Sequence, residues 1–177
     1  MTGPAIRRAR PDDVDFLVEL VNDGDVRPFL GVRTATDRET LLEEVERSLR
    51  EPEAFGRFVI ELDGERAGSL GFHVENERSR IARVERLAVH PRFRGRRLAD
   101  DASRLFQREL FQELGFHRLE LEIYAYNERA QAHAERAGFI REGVKRKAYL
   151  RDGQWVDAVF YGLVREELDA HQGKPGT

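Results

Sequence analysis

The chain has 177 residues, with 30 Lys and Arg against 33 Asp and Glu, a net charge of −3 and 36% charged residues. That length allows one domain with a substantial core, and the near-even charge balance argues against a general nucleic-acid binder, whose domain would be net basic. There is no cysteine, which excludes a disulfide framework, a thiolate metal site and a cysteine nucleophile.

The opening MTGPAIRRARPDD lacks the apolar core of a signal peptide. No stretch approaches the roughly 20 apolar residues of a membrane span, so a cytoplasmic protein is expected. Residues 1–4 and 171–177 read as loose ends of one domain spanning 1–177. Residues 5–9 read as a short strand. Asp12 or Asp13 can cap a helix running to about Asn22, with Phe16, Leu17, Leu20 and Val21 inward. Residues 23–34, with Pro28, Phe29, Leu30 and Gly31, read as a loop. Thr36 or Asp37 can cap a second helix through about Arg50. Leu41, Leu42, Val45 and Leu49 share one side of it; Glu39, Glu43, Glu44 and Glu46 share the other, a pattern usual for a solvated face.

Residues 58–62 form a strand leading into Asp63-Gly64, a strong hairpin signal. A strand at 67–74, a polar turn at 75–79 and a strand at 80–89 follow. In the last, Val84, Leu87 and Val89 are apolar, with Glu85 and Arg86 between them. His90-Pro91 ends it, because proline cannot donate a ladder bond and restricts the residue before it. A helix is predicted over 95–114, with Leu98, Ala102, Leu105 and Phe106 as its buried stripe and Gly115 as its C-terminal glycine. Residues 117–124 alternate as a strand, with Leu119, Leu121 and Ile123 on one face. Asn127 caps a short helix ended by Gly138. Residues 139–150 and 155–164 read as a closing hairpin that turns at Asp152-Gly153, with Trp155 expected in the core. The order predicts an α/β layer structure with a mixed sheet.

The segment at 90–99 suits a bound anion. Four arginines lie between Arg92 and Arg97. A helix start leaves backbone N–H groups without partners and carries partial positive charge. Gly95 would let the backbone approach a phosphate closely. A solvated, arginine-rich helix start is the alternative reading of the same residues.

The segment resembles the acetyl-CoA site of the GNAT N-acetyltransferase superfamily, whose signature is (Gln or Arg)-x-x-Gly-x-(Gly or Ala) opening a helix after a bulged strand. Arg94, Leu98 and Ala99 fit it, and Arg97 stands where the family usually has glycine. Asn127-Glu-Arg-Ala130, followed by Gly138-Phe139, matches the family's second pattern at the usual separation. The closing GFIREGVKRKAYLRDGQWVDAVFYGL is similar to the branch acting on ribosomal-protein N-termini, polyamines and related amines. The resemblance implies a mixed, mostly antiparallel sheet flanked by helices and splayed between its fourth and fifth strands. It implies that Leu87, Ala88, Val89, Arg94, Gly95, Arg96, Arg97, Leu98, Ala99, Asn127 and Ala130 bind acetyl-CoA. Its implied partner is an amine-bearing acceptor, either a small molecule or a protein N-terminus, and it allows a homodimer. No metal, membrane or nucleic acid is expected.

Amine acetylation needs a neutral nucleophile, and at neutral pH roughly one lysine-like amine in a thousand is unprotonated. Glu85 reads as the carboxylate that removes the proton, or as a strand residue paired with Arg83 or a neighbouring arginine. Asp157 and Glu122 are weaker candidates. Many family members place a tyrosine acid four residues before the glycine of Gly-Phe. Ala134 stands there in this chain, which leaves Tyr149, Tyr124 and Tyr126 to supply an acid; Tyr149 is the expected one. Asn127 reads both as a helix cap and as a donor to the CoA arm. The cluster Arg141, Lys145, Arg146, Lys147 and Arg151 reads as a solvated hairpin, or as a contact for the 3′-phosphate or an acidic acceptor. The five histidines, His73, His90, His117, His133 and His171, show no metal-ligand pattern and read as surface or core residues. The competing reading is a catalytically inactive GNAT-fold module that binds CoA or a partner. A dinucleotide-binding enzyme is disfavoured, since no G-x-G-x-x-G follows an early strand.

Overall fold

Alternating apolar residues in the first half of the chain become β1 (Ala5–Arg8), β2 (Phe55–Leu62) and β3 (Glu65–Asn76). The computed structural model describes residues 3–30 and 36–172. Two compact units are present: Met1–Val74 with Val84–Phe106, and Glu75–Arg83 with Gln107–Thr177. β4 (Ile81–Val89) belongs to both by chain continuity.

In the first unit β1, β2 and β3 are antiparallel neighbours, with Ile6 opposite Ile60 and Arg57 opposite Gly71. Asp63 (φ 52°) and Gly64 (φ 82°) make the tight turn that the Asp-Gly pair predicts. The N–H of His90 donates to the Ala67 carbonyl at 2.8 Å, tying the end of β4 to the start of β3. Gly68 is required there: a Cβ would lie 2.4 Å from the Ala88 carbonyl oxygen, far inside contact distance, so only glycine lets the two strands close up at the Leu87–Val89 end.

On one sheet face, α1 (Val14–Asn22) and α2 (Arg38–Arg50) bury Leu17, Leu20, Leu41 and Val45 against Val59 and Ala88. On the other, Phe106 of α3 (Leu98–Arg108) packs edge-on to Phe58, with ring centroids 5.1 Å apart. Asp37 caps α2 by accepting from the Thr40 N–H at 2.8 Å. Leu49 was expected inward but is exposed; Ser48 takes the inward place, its hydroxyl accepting from the Arg57 N–H at 2.9 Å. Asp13 is the α1 cap residue by position, yet its side chain makes no cap bond. It instead binds Arg7 at 2.7 Å and Arg66 at 2.6 Å. The loop expected over 23–34 holds a short 3-10 turn at Arg27–Phe29, and its part from Gly31 onward lies outside the described residues.

In the second unit the first residues of β4 pair in parallel with β5 (Arg118–Tyr124), Ile81–Arg83 against Arg118–Glu120. That registered pairing ends at Arg83. β5 then pairs antiparallel with β7 (Gln154–Val164), and β7 with β6 (Ile140–Arg151). The hydrogen-bonded order is thus β1-β2-β3-β4 in one unit and β4-β5-β7-β6 in the other, the mixed, mostly antiparallel sheet expected. A π-helical turn, Glu109–Glu113, follows α3, and Gly115 (φ 69°) ends it. α4 (Glu128–Arg136) precedes the closing hairpin, and α5 (Arg165–Gln172) follows it. α5 runs to Gln172, and the rest of the end expected to be loose, residues 173–177, lies outside the described residues. Trp155 is also corrected: it is 62% exposed, because it lies near the hairpin tip opposite Leu150 with no layer over it.

Candidate active site

Glu85 sits beside a bulge. Arg86 has φ +59°, the left-handed region that costs a non-glycine residue about 1–2 kcal/mol. The spacing shows why it forms there. Val84 and Leu87 are three residues apart, Leu87 and Val89 two, so one extra residue must be taken up between Val84 and Leu87. Such a bulge re-aims its neighbours, here Glu85 and Leu87.

The strain is held by charge. The Arg86 guanidinium donates to both Glu44 oxygens of α2, each at 2.8 Å. Glu44 Oε2 also lies 3.1 Å from Nε of Arg57, whose side chain is 1% exposed and whose three guanidinium nitrogens find no well-formed hydrogen bond. Burial, then the charge of Arg86, push Arg57 down to about 10 despite Glu44 and Glu85. Glu44, read from sequence as part of a solvated face, is therefore turned inward as the counter-ion of two arginines.

Glu85 itself does not pair with Arg83. Its Oε2 lies 3.3 Å from Nδ1 of His73 on β3, and its Oε1 lies 3.8 Å from Nε of Arg86. Burial would raise the Glu85 carboxyl, but the His73 hydrogen bond and the charges of Arg86, His73 and Arg57 outweigh it and hold it below the ordinary value. A half-buried, ionised carboxylate thus stands on the bulged strand before Leu87–Val89.

The turn after β4 departs twice from helical backbone. Pro91–Phe93 is a 3-10 turn, Gly95 has φ +78° and Arg97 φ +55°. The first bond into α3 runs from the Asp101 N–H to the Arg97 carbonyl at 3.1 Å, so the N–H groups of Leu98 and Ala99 precede it. Recurrent positive φ makes successive N–H groups converge on a concavity that suits phosphate. Nothing lies within 4 Å of a Cβ built on Gly95, so the glycine serves its backbone angle. The helix was expected from Gly95; it starts at Leu98 because Gly95 and Arg97 both leave helical φ. Of the arginines, Arg92 pairs with Glu65 and Arg94 lies 3.7 Å from Asp25, while Arg96 and Arg97 are exposed.

In the second unit Glu122 gathers three donors. Arg83 Nη1 lies 2.5 Å from its Oε1, and Lys145 and the Tyr149 hydroxyl also donate to it. Burial would raise this carboxyl, yet those bonds and the Arg83 charge bring it down to about 2. The bond to Glu122, then burial, push Tyr149 up to about 12. Its hydroxyl keeps its proton and donates to Glu122. Since the folded carboxyl is depressed below the ordinary ~4.3, its stabilisation is complete above that value and is lost as pH falls toward 2. Glu122→Gln should therefore be less stable than wild type at pH 7 and show a flatter loss of melting temperature between about pH 5 and 2. Identical acid limbs in the two proteins would exclude this role.

Asn127 accepts from the Ala130 N–H at 3.1 Å and caps α4 as expected. Ala134 is 1% exposed, packed where the family tyrosine would stand. Asp157 accepts from the Lys147 N–H at 2.7 Å, a bond that supports the β6 irregularity at Lys147 (φ 50°). Within the basic hairpin, Lys145 is taken by Glu122, and Arg151 lies 5.2 Å over the Tyr124 ring. Sequence reasoning missed Glu44, Arg57, Arg86 and His73; the three-residue gap from Val84 to Leu87 is the signal that points to the bulge. Among the described residues no helix is long and apolar enough to cross a membrane, and no group of His, Asp and Glu side chains could hold a metal ion.

The model of a family described as "Acetyltransferase (GNAT) domain" matches residues 5–140. The SPbeta prophage-derived uncharacterized N-acetyltransferase YokL of Bacillus subtilis is 24% identical over 169 residues, covering 95% of this chain and 93% of its own. The spermidine N(1)-acetyltransferase of Escherichia coli K12 is 29% identical over 120 residues, covering 68% of this chain and 64% of its own. The crystal structure of spermidine N-acetyltransferase from Vibrio cholerae in complex with CoA and spermine shares the fold at TM-score 0.85 and 19% identity, over 93% of this chain and 97% of that one.

Proposed function

We propose, since this chain belongs to the acetyltransferase (GNAT) domain family, that it moves an acetyl group from acetyl-CoA to a primary amine within a ternary complex. The observation that carries this reading is the bulged β4, which presents Glu85 and runs directly into the positive-φ turn at Gly95 and Arg97. The residues fit the co-substrate. Backbone groups of Leu87, Ala88 and Val89 would hold the pantetheine arm. The N–H groups from Arg94 to Ala99, with the Arg96 and Arg97 side chains, would hold the pyrophosphate. When bound, acetyl-CoA supplies an activated carbonyl carbon and a thiolate leaving group.

Glu85 takes the proton from the acceptor ammonium, directly or through a water. Departure of a thiolate needs no protein acid, which agrees with a buried Ala134 and with Tyr149 engaged by Glu122. Polyamines lead as acceptors, because the relatives named above include enzymes acting on spermidine; a protein N-terminus is the next class. Acetyl-CoA turnover followed by thiol release across an amine panel tests the reading. Binding without turnover on any amine would favour the non-catalytic module instead.

Arg97 offers a separate test of the cofactor turn. At 100 times its dissociation constant, acetyl-CoA should stabilise the fold by about 2.7 kcal/mol. Because Arg97 occupies left-handed backbone, Arg97→Gly should keep or raise stability, by up to about 1 kcal/mol. The same change should weaken acetyl-CoA binding, more at low salt than at high salt. Calorimetry at two salt concentrations decides: tighter binding by the glycine variant would mean that Arg97 obstructs the turn.

A further inference from the structure

We infer that His73 is a positioning residue for Glu85, aiming one carboxylate oxygen and, by its own protonation, setting how readily the other accepts a proton. This rests on the acetyltransferase reading of Glu85 and extends it to a residue that neither the sequence patterns nor the family match singles out. The geometry is that of a carboxylate held by an imidazole: Nδ1 of His73 lies 3.3 Å from Oε2 of Glu85. A neutral imidazole with its proton on Nδ1 donates to Oε2, fixes the carboxylate rotamer and leaves Oε1 as the accepting atom.

The charged surroundings of the pair are asymmetric. From β4, Arg86 Nε stands 3.8 Å from Glu85 Oε1. From β2, Arg57 is buried in the same cluster and its charge also favours the ionised Glu85. From α2, Glu44 binds Arg86 and Arg57, so both guanidiniums already have a counter-ion and Glu85 is not their sole partner. Phe55 is the residue opposite His73 on β2 and carries no charge. Beside these arginines and carboxylates His73 brings an imidazole, the side-chain type whose charge changes nearest neutral pH. Its side chain is 35% exposed, which gives the imidazole exchange with solvent.

Protonation of His73 has one consequence for the chemistry. An imidazolium turns the hydrogen bond into an ion pair, and an ion-paired carboxylate is a weaker base. The ammonium proton then stays on the acceptor nitrogen. With His73 neutral, that proton passes to Oε1 of Glu85 and on to water. The nitrogen–carbon bond that forms and the carbon–sulfur bond that breaks, its electron pair leaving on sulfur, are those of acetyl transfer itself.

The test compares wild type, His73→Gln and His73→Ala, with acetyl-CoA affinity by calorimetry as the check on folding. In wild type, log kcat should gain an extra unit of slope on the acid side, where the imidazole becomes charged. His73→Gln, whose amide can still donate, should lose that extra slope. His73→Ala, which has no donor to offer, should also lower kcat roughly tenfold at the alkaline plateau. Neither should change acetyl-CoA affinity. In the ligand-free protein, the His73 imidazole NMR titration should move to lower pH in Glu85→Gln, because the carboxylate favours the imidazolium. A His73→Gln enzyme with the wild-type pH profile, or an imidazole titration indifferent to Glu85→Gln, overturns the inference while leaving the acetyltransferase intact. A wild type that turns over no amine in the panel overturns both.

Discussion

Glu85→Gln should lower kcat by roughly 10²-fold or more at neutral pH while leaving acetyl-CoA affinity within a factor of two. The amide keeps the size of the side chain and its place beside His73, so the turn at 94–99 is undisturbed. What it loses is the ability to accept a proton from a cationic amine. Leaving that amine protonated is a handicap of about 4–5 kcal/mol at neutral pH for a group of pKa about 10.4. The defect should therefore shrink as pH rises and the amine deprotonates in solution. Steady-state kinetics from pH 6.5 to 9.5 tests both halves. Turnover within twofold or threefold of wild type at pH 7 would remove Glu85 from the mechanism and leave it as a strand residue that pairs with His73.

Glu44→Ala should cost about 3–5 kcal/mol of folding stability, the usual result of stranding a buried charge. Arg57 is fully buried and already pushed down to about 10 by burial and by Arg86. Glu44 is the carboxylate within 3.1 Å of it. The same substitution frees Arg86, whose left-handed backbone is otherwise fixed by two 2.8 Å bonds. Arg57→Met should be far milder, since it removes the buried charge itself and leaves Glu44 paired with Arg86. Urea unfolding of the two variants separates these cases. Equal losses would mean that Arg57 contributes through packing of its stem rather than through its charge.

The two predictions lie on different links of one chain of causes. Glu44 and Arg86 hold the bulge in β4, and the bulge presents Glu85. A destabilised Glu44→Ala enzyme that still folds should therefore also lose activity beyond its folded fraction. Assays at a temperature where both proteins are fully folded would show this.

Local sequence determined much of this protein. Asp63-Gly64 and Asp152-Gly153 place two hairpin turns, because a type I′ turn needs positive φ at both central residues and these pairs tolerate it. Asp37 and Asn127 cap their helices as their positions require. The arginine- and glycine-containing stretch before α3 marks the positive-φ turn at Gly95, because glycine conformation is a short-range property. Tertiary structure decided the rest. Glu39, Glu43, Glu44 and Glu46 look alike on one face of a helix, and only packing against β2 and β4 turns Glu44 toward Arg57 and Arg86. Tyr149 is one of several tyrosines until the β6–β7 hairpin pairs with β5 and its hydroxyl donates a hydrogen bond to Glu122. His73 and Glu85 are twelve residues apart on neighbouring strands, and nothing in their separation announces a 3.3 Å contact. Charge pairing across strands depends on register and on which face each residue reaches. In β4 one inserted residue shifts both.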